Sequence, residues 1–256
     1  MNLPFSAAEA LWGPAEALRY PGEAKLALSG ASFVAGVKMG QVSYWNFKGF
    51  DFTLSYLNSG GIEEYTVVGE PTGRTLYAQL MNLKAAKSLS SFSLEAELLP
   101  QFLGDEKAFA VALGAGWSGK LGPVDLGARL SHLGVELVAA GGRRTQLPTK
   151  MELVGGWSSP GKAFQTWLFL ASQRDYPFYA GGGLLWRVYS YPLELVASYS
   201  SKGQELSAGA GGDPLNGLAA GFRLRVGDKA LLYSWAPFGE LGDVHRLELR
   251  FGCPAQ

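Results

Sequence analysis

Few residues in this chain combine the types and spacing that chemistry needs. The two histidines, His132 and His245, stand in no ligand spacing with cysteine or carboxylate, so no metal site is expected at either. Gly156-Trp157-Ser158-Ser159-Pro160 misses the Gly-x-Ser-x-Gly nucleophile elbow at its last position. The single cysteine, Cys253, excludes an intrachain disulfide, and its place in a terminal tail argues against metal or catalytic use. Gly181-Gly182-Gly183 and Gly209-Ala210-Gly211-Gly212 do not follow a strand and open a helix. They are therefore not phosphate cradles, and suit strand bending or close backbone approach instead. No catalytic residue, no metal and no cofactor is expected.

What remains is the charged set Arg223, Arg225, Arg246, Glu248 and Arg250. Its two halves lie in Gly221–Val226 and Val244–Phe251, where charged and apolar residues alternate. Side chains on a strand point to opposite faces at period two. One face is thus Phe222, Leu224 and Val226 or Leu247, Leu249 and Phe251, and the other carries the charges. If both strands line one interior wall, that wall is net positive and favours anionic solutes. In the alternative reading, Arg223 and Arg246 pair with Glu248 or with Asp125, Glu152 and Glu194 across a lumen, because buried charges need partners.

The same alternation runs through the chain. Phe50, Phe52, Leu54 and Tyr56 oppose Asp51, Thr53 and Ser55, and Phe92, Leu94, Ala96 and Leu98 oppose Ser93, Glu95 and Glu97. Val124, Leu126, Ala128 and Leu130 oppose Asp125, Arg129 and Ser131, while Leu193, Leu195, Ala197 and Tyr199 oppose Glu194, Ser198 and Ser200. Turn residues punctuate the pattern and predict fourteen strands: 24–33, 37–47, 50–57, 74–86, 91–102, 107–118, 123–132, 147–157, 162–172, 177–189, 193–200, 217–226, 229–236 and 243–251. The stretch Gln204–Gly211 is assigned to a loop. Within 107–118, large residues alternate with Ala108, Ala110, Ala112, Gly114 and Gly116, which leaves room for something inside, an N-terminal segment or a guest molecule.

A soluble sandwich or lipocalin-like barrel turns such apolar faces inward, and a membrane barrel turns them outward. Composition favours the membrane. Charged residues are only 17% of the chain, with 35 Gly, 14 Phe, 7 Trp and 11 Tyr. The 22 basic and 22 acidic residues balance, so nothing calls for nucleic acid. Aromatics near strand ends (Trp45, Tyr56, Trp117, Trp157, Tyr189, Tyr199, Trp235) suit interfacial girdles. Short turns at Lys48-Gly49, Ser88–Ser90, Gly119–Gly122, Ser158–Gly161, Ser190–Pro192 and Gly227-Asp228 occupy every second junction. Longer links at Asn58–Gly73, Leu133–Gln146 and Ser201–Asn216 fall at others, as in barrels with short periplasmic turns and longer outer loops. No run is apolar enough for a membrane helix. The opening Met1-Asn2-Leu3-Pro4-Phe5 lacks a signal peptide, so a mature form with an added Met or a start placed too late is expected, the other possibility being a protein that is not exported.

The closing stretch Tyr233-Ser234-Trp235-Ala236-Pro237-Phe238-Gly239-Glu240-Leu241-Gly242-Asp243-Val244-His245-Arg246-Leu247 resembles the last hairpin of the PorV/PorQ group, outer-membrane barrels distantly similar to the FadL transporters. Trp12-Gly13-Pro14-Ala15 is similar to that group's early Trp-Asn-Pro-Ala, with Gly13 replacing Asn. Tyr56-Leu57-Asn58-Ser59-Gly60-Gly61-Ile62-Glu63 resembles the end of its third strand. The resemblance implies a barrel of roughly fourteen strands whose relatives assist type IX protein secretion or have no settled role.

The expected organisation is an N-terminal periplasmic or lumenal segment over 1–22, an all-β antiparallel transmembrane barrel over 23–252 and a tail over 253–256. The expected location is the bacterial outer membrane. Function is expected to be non-enzymatic: engagement of an envelope or secreted protein through the lumen and the outer loop Gly60–Gly73. The alternatives are a FadL-like passage for a small or hydrophobic solute, which would depend on lumen residues such as Trp167 and Phe169, and a structural envelope anchor.

Overall fold

The computed structural model describes residues 25–32, 36–65, 71–139, 147–174, 176–189, 191–201, 217–237 and 243–253. Within them lie fourteen strands: β1 (Leu26–Ser32), β2 (Lys38–Phe47), β3 (Phe50–Tyr65), β4 (Pro71–Leu89), β5 (Phe92–Leu103), β6 (Glu106–Leu121), β7 (Val124–Val138), β8 (Lys150–Ser158), β9 (Phe164–Gln173), β10 (Tyr176–Arg187), β11 (Leu193–Ser200), β12 (Leu218–Val226), β13 (Lys229–Pro237) and β14 (Asp243–Phe251). Each pairs antiparallel with its sequence neighbours, and β1 pairs with β14 from Leu26↔Phe251 to Ser32↔His245, closing the barrel. Closure leaves no strand edge bare of hydrogen bonds within the hydrocarbon layer. The expected segment 1–22, the loop Gln204–Gly211 and residues 254–256 lie outside the described residues.

The faces resolve the choice that alternation leaves open. Phe50, Phe52, Leu54, Tyr56, Phe92, Leu94, Leu98, Leu247 and Leu249 are exposed on the outside, whereas Glu97, Glu152, Glu194, Arg223, Glu248 and Arg250 are buried inside. Strand β9 shows the contrast residue by residue, with Leu168 73% exposed between Trp167 at 2% and Phe169 at 4%. Apolar area on the outside of a closed sheet has only lipid to meet, so the polarity is that of a membrane barrel. At the rim where β1 begins and β14 ends the exterior carries a girdle of exposed Phe47, Phe50, Phe92, Trp117, Trp157, Phe164 and Trp186. Lys48 and Lys87 sit over Phe47 and Phe50, 5.7 and 5.0 Å from the ring centroids.

Four expectations change. Asn58–Gly73 is not a loop, because β3 runs on to Tyr65 and β4 begins at Pro71. The turn-like Asn58-Ser59-Gly60 is instead a bulge. Ser59 and Gly60 both fall between the pairs Asn58↔Gln79 and Gly61↔Tyr77. Gly60 takes a φ of +73°, its N–H donates to Asn58 Oδ1 at 2.9 Å, and Ala78 N–H donates to Ser59 Oγ at 2.9 Å. Similarly, His132 does not end its strand. It is a bulge residue with φ 58°, and β7 continues through Leu133 to Val138 before the next link. Trp45 is not a girdle residue: it shares the inward phase of Gln41 and Ser43 and packs against the inner apolar cluster. Cys253 is buried, with its N–H donating to Asp228 O at 2.8 Å, so it is fixed to the β12–β13 turn rather than trailing.

Replacing Leu153, an exposed residue near the middle of β8, with Arg places a charge in the apolar band. The expected loss is ~2–4 kcal/mol of folding free energy in denaturant titrations of the vesicle-embedded barrel. A loss below about 0.5 kcal/mol, typical of an exposed site in water, contradicts the orientation.

Candidate functional site

The inner wall has three sectors, each set by which strands carry small residues. The first is centred on β6. Its inward residues Ala108, Ala110, Ala112 and Gly114 are small and buried, so long side chains from β5 and β7 reach one another across it. Arg129 Nη2 contacts Glu95 Oε2 at 2.7 Å, and Lys84 Nζ reaches the same oxygen at 2.6 Å. Arg129 Nη1 lies 3.9 Å from Glu152, which Lys150 also meets at 2.8 Å. A charged ladder therefore spans β4, β5, β7 and β8. Gly114 makes it possible, since a Cβ there would stand 3.3 Å from Glu95 Oε2 and 3.1 Å from Leu130 O. The room foreseen for a guest along β6 is in part taken by these side chains. His132, aimed inward by the β7 bulge, puts Nε2 3.4 Å from Glu97, which also accepts from Asn82 Nδ2 at 3.0 Å. Sequence spacing hides this partner because Glu97 is on β5. His245 faces outward, with Nδ1 2.9 Å from Tyr233 Oη.

The second sector holds the five charged residues singled out from the C-terminal strands, and their four arginines divide between Glu194 and Glu248. Glu194 on β11 meets Arg223 Nε at 3.0 Å, Arg187 Nη2 at 2.9 Å and Arg225 Nη2 at 3.8 Å. Glu248 on β14 accepts from Arg246 and Arg250, both at 2.6 Å. The pairs run along the wall rather than across the lumen. Register explains this: Glu194 is directly opposite Arg223, whereas Glu248, Arg246 and Arg250 are spaced by two on one strand. Asp125 instead pairs with Lys120 beside the β6–β7 turn, and Glu152 belongs to the β6 ladder.

The third sector is aromatic. Trp167 and Phe169 on β9 pair directly with Gly183 and Gly181 on β10. Their rings occupy the space that a Cβ on either glycine would need. The glycines thus let both rings lie along the wall. Tyr179 packs edge-on to Phe169, with centroids 6.2 Å apart at 76°. Val154, Ala171, Leu185 and Val196 extend the patch.

An apolar exterior, a charged and aromatic interior and closure of fourteen antiparallel strands define an outer-membrane β-barrel. Solved structures of that class are similar in fold. A "TodX deltaS2S3 mutant monoaromatic hydrocarbon channel" superposes with a TM-score of 0.54 at 12% identity, over 92% of this chain and 90% of that one. The toluene transporter TodX of Pseudomonas putida gives 0.50 at 12% identity, over 88% and 86%. No protein-family description matches the sequence, and no curated protein does.

Removing a carboxylate shared by several guanidinium groups is costly inside the barrel and cheap at its rim. Glu194→Ala is expected to lower stability by about 3 kcal/mol. Asp125→Ala, whose partner Lys120 is 79% exposed, is expected to change it by less than about 1 kcal/mol. Denaturant midpoints of the two variants in the same vesicles check the order, and equal losses contradict it.

Proposed function

We infer that the barrel is a non-enzymatic, FadL-like passage for a small apolar solute. The observation that carries this reading is the inward aromatic sector of Trp167, Phe169 and Tyr179, laid along the wall by Gly181 and Gly183. These rings are buried in a packed apolar interior, which an apolar guest enters in preference to water when that packing opens. The fold shared with channels described as carrying toluene or monoaromatic hydrocarbons supports the same reading. Arg223, Arg225, Arg246, Glu248 and Arg250 have a different part in it: a charged strip that discriminates among solutes by charge.

The test uses Trp167→Leu together with Phe169→Leu, which keep apolar bulk and remove the rings. Uptake of labelled toluene by cells with a lipopolysaccharide outer membrane is expected to fall several-fold relative to the parent barrel at equal membrane abundance. Uptake that stays unchanged, or that never exceeds that of cells lacking the barrel, contradicts the passage.

One observation favours engagement of a protein partner, the reading that the PorV/PorQ resemblance implies. Strand β2 pairs with β3 only as far as Lys38↔Asn58, and β5 joins β4 at Ala78↔Leu103, while β3 and β4 continue together to Tyr65↔Pro71. A two-stranded ribbon of β3 and β4 therefore extends beyond the ladders of β2 and β5 above the opposite rim, a shape to which a partner's strand or loop can be added. Deleting residues 61–75 and joining the ends with a short turn is expected to abolish co-purification of an envelope protein and leave toluene uptake intact. Retained co-purification removes this second reading.

A further inference from the structure

The wall facing the aromatic sector carries an open recess. It lies over β1, seven strands around the fourteen-strand circle from β8 and six from β9. The inward residues of β1 are small, as on β6, and Ala27 and Ser29 form the floor. The β2 residues that line it are uncharged, so no ion pair between lining residues bridges it as one bridges the β6 groove. Arg246 and Glu248 stand on the β14 side, and Gln41, Ser43 and Trp45 on the β2 side. The enclosed space holds about one water-sized group, so the recess receives a single group of a solute rather than the whole molecule.

The hydrogen-bonding groups that line it are partly committed. Gln41 Nε2 donates to Ser43 Oγ at 3.0 Å, and Ser43 shares a hydrogen bond with Thr53 Oγ1 at 3.1 Å. Arg246 uses one Nη to hold Glu248 at 2.6 Å. That leaves further N–H donors on Arg246, which has five in all, the Gln41 carbonyl as an acceptor, and the Ser29 hydroxyl, which can do either. Donors and acceptors are therefore mixed within one small space. A carboxylate gains from Arg246 but meets the oxygens of Glu248 and Gln41. An apolar group leaves all of these groups without water or partner. A hydroxyl satisfies both kinds at once. Trp45 adds an aromatic side chain to the lining, with the Arg250 guanidinium 6.0 Å from the ring centroid.

We propose that this recess is a binding subsite for one hydroxyl group of a small polyol or saccharide. The subsite lies six strands from Trp167 and Phe169 and does not depend on the passage of apolar solutes. Detergent-solubilised full-length barrel is mixed with D-glucose, and saturation transfer from protein to glucose protons is measured by NMR, with sodium acetate as a competitor. Glucose is expected to receive saturation that acetate does not displace. Gln41→Leu and Ser29→Val, each removing hydrogen-bonding capacity, are expected to weaken it about fivefold. Both variants must keep the parent's mobility shift on boiling, which reads the folded barrel. Trp167→Leu with Phe169→Leu is expected to leave the glucose signal unchanged, so failure of the toluene experiment and failure of this one are distinct. The proposal is overturned if the parent barrel transfers no saturation to glucose, if Gln41→Leu and Ser29→Val transfer as much as the parent, if acetate displaces glucose, or if the Trp167 and Phe169 changes remove the signal.

Discussion

Every feature of this barrel depends on one constraint: each strand has lipid on one side and a shared interior on the other. Backbone polar groups cannot remain unpaired in lipid, so the sheet must close, and β1 does so against β14 over seven residues. Charges cannot face hydrocarbon either. They are driven inward, where each needs a partner because the interior is poorer in water than bulk solution. The result is a protein whose ion pairs sit inside and whose Leu and Phe side chains sit outside, the inverse of a soluble domain.

Partnering inside a barrel is a problem of reach. Inward neighbours on adjacent strands are close enough for short contacts, as Glu194 and Arg223 show. Longer connections need a low strand between the partners. Strand β6 provides one with alanine and glycine, and the Arg129–Glu95 contact passes over it. The same device in β1 leaves a recess, because the flanking Arg246 is already held by Glu248 on its own strand. Small residues therefore shape the lumen as much as the charged ones do. On β10 they serve a third purpose, giving Trp167 and Phe169 room to lie along the wall.

Much of this is legible in the residues. All fourteen strands follow from period-two alternation and turn residues, and so does the grouping of Phe50, Phe52, Leu54 and Tyr56 on one face. Two strands look shorter in sequence than they are, because Ser59-Gly60 and His132 break the period. A bulge inserts one residue and resumes, whereas a turn ends the strand, and the two carry the same local signals. Trp45 is misplaced by a positional cue, its nearness to a strand end, although its phase with Gln41 and Ser43 puts it inside. The pairing of His132 with Glu97 depends on register between strands, which no single segment encodes.

The central claim is the inside-out orientation, and spin labelling of β9 tests it most directly. In a Cys253→Ser background, single cysteines placed in turn at residues 165 to 170 carry a nitroxide, and the reconstituted barrel is probed with oxygen and a water-soluble paramagnet. Positions 166, 168 and 170 are expected to be relaxed by oxygen as lipid-facing sites are, and 165, 167 and 169 to be shielded from it. The reverse phase, or high access of the water-soluble probe at 166, 168 and 170, contradicts the account.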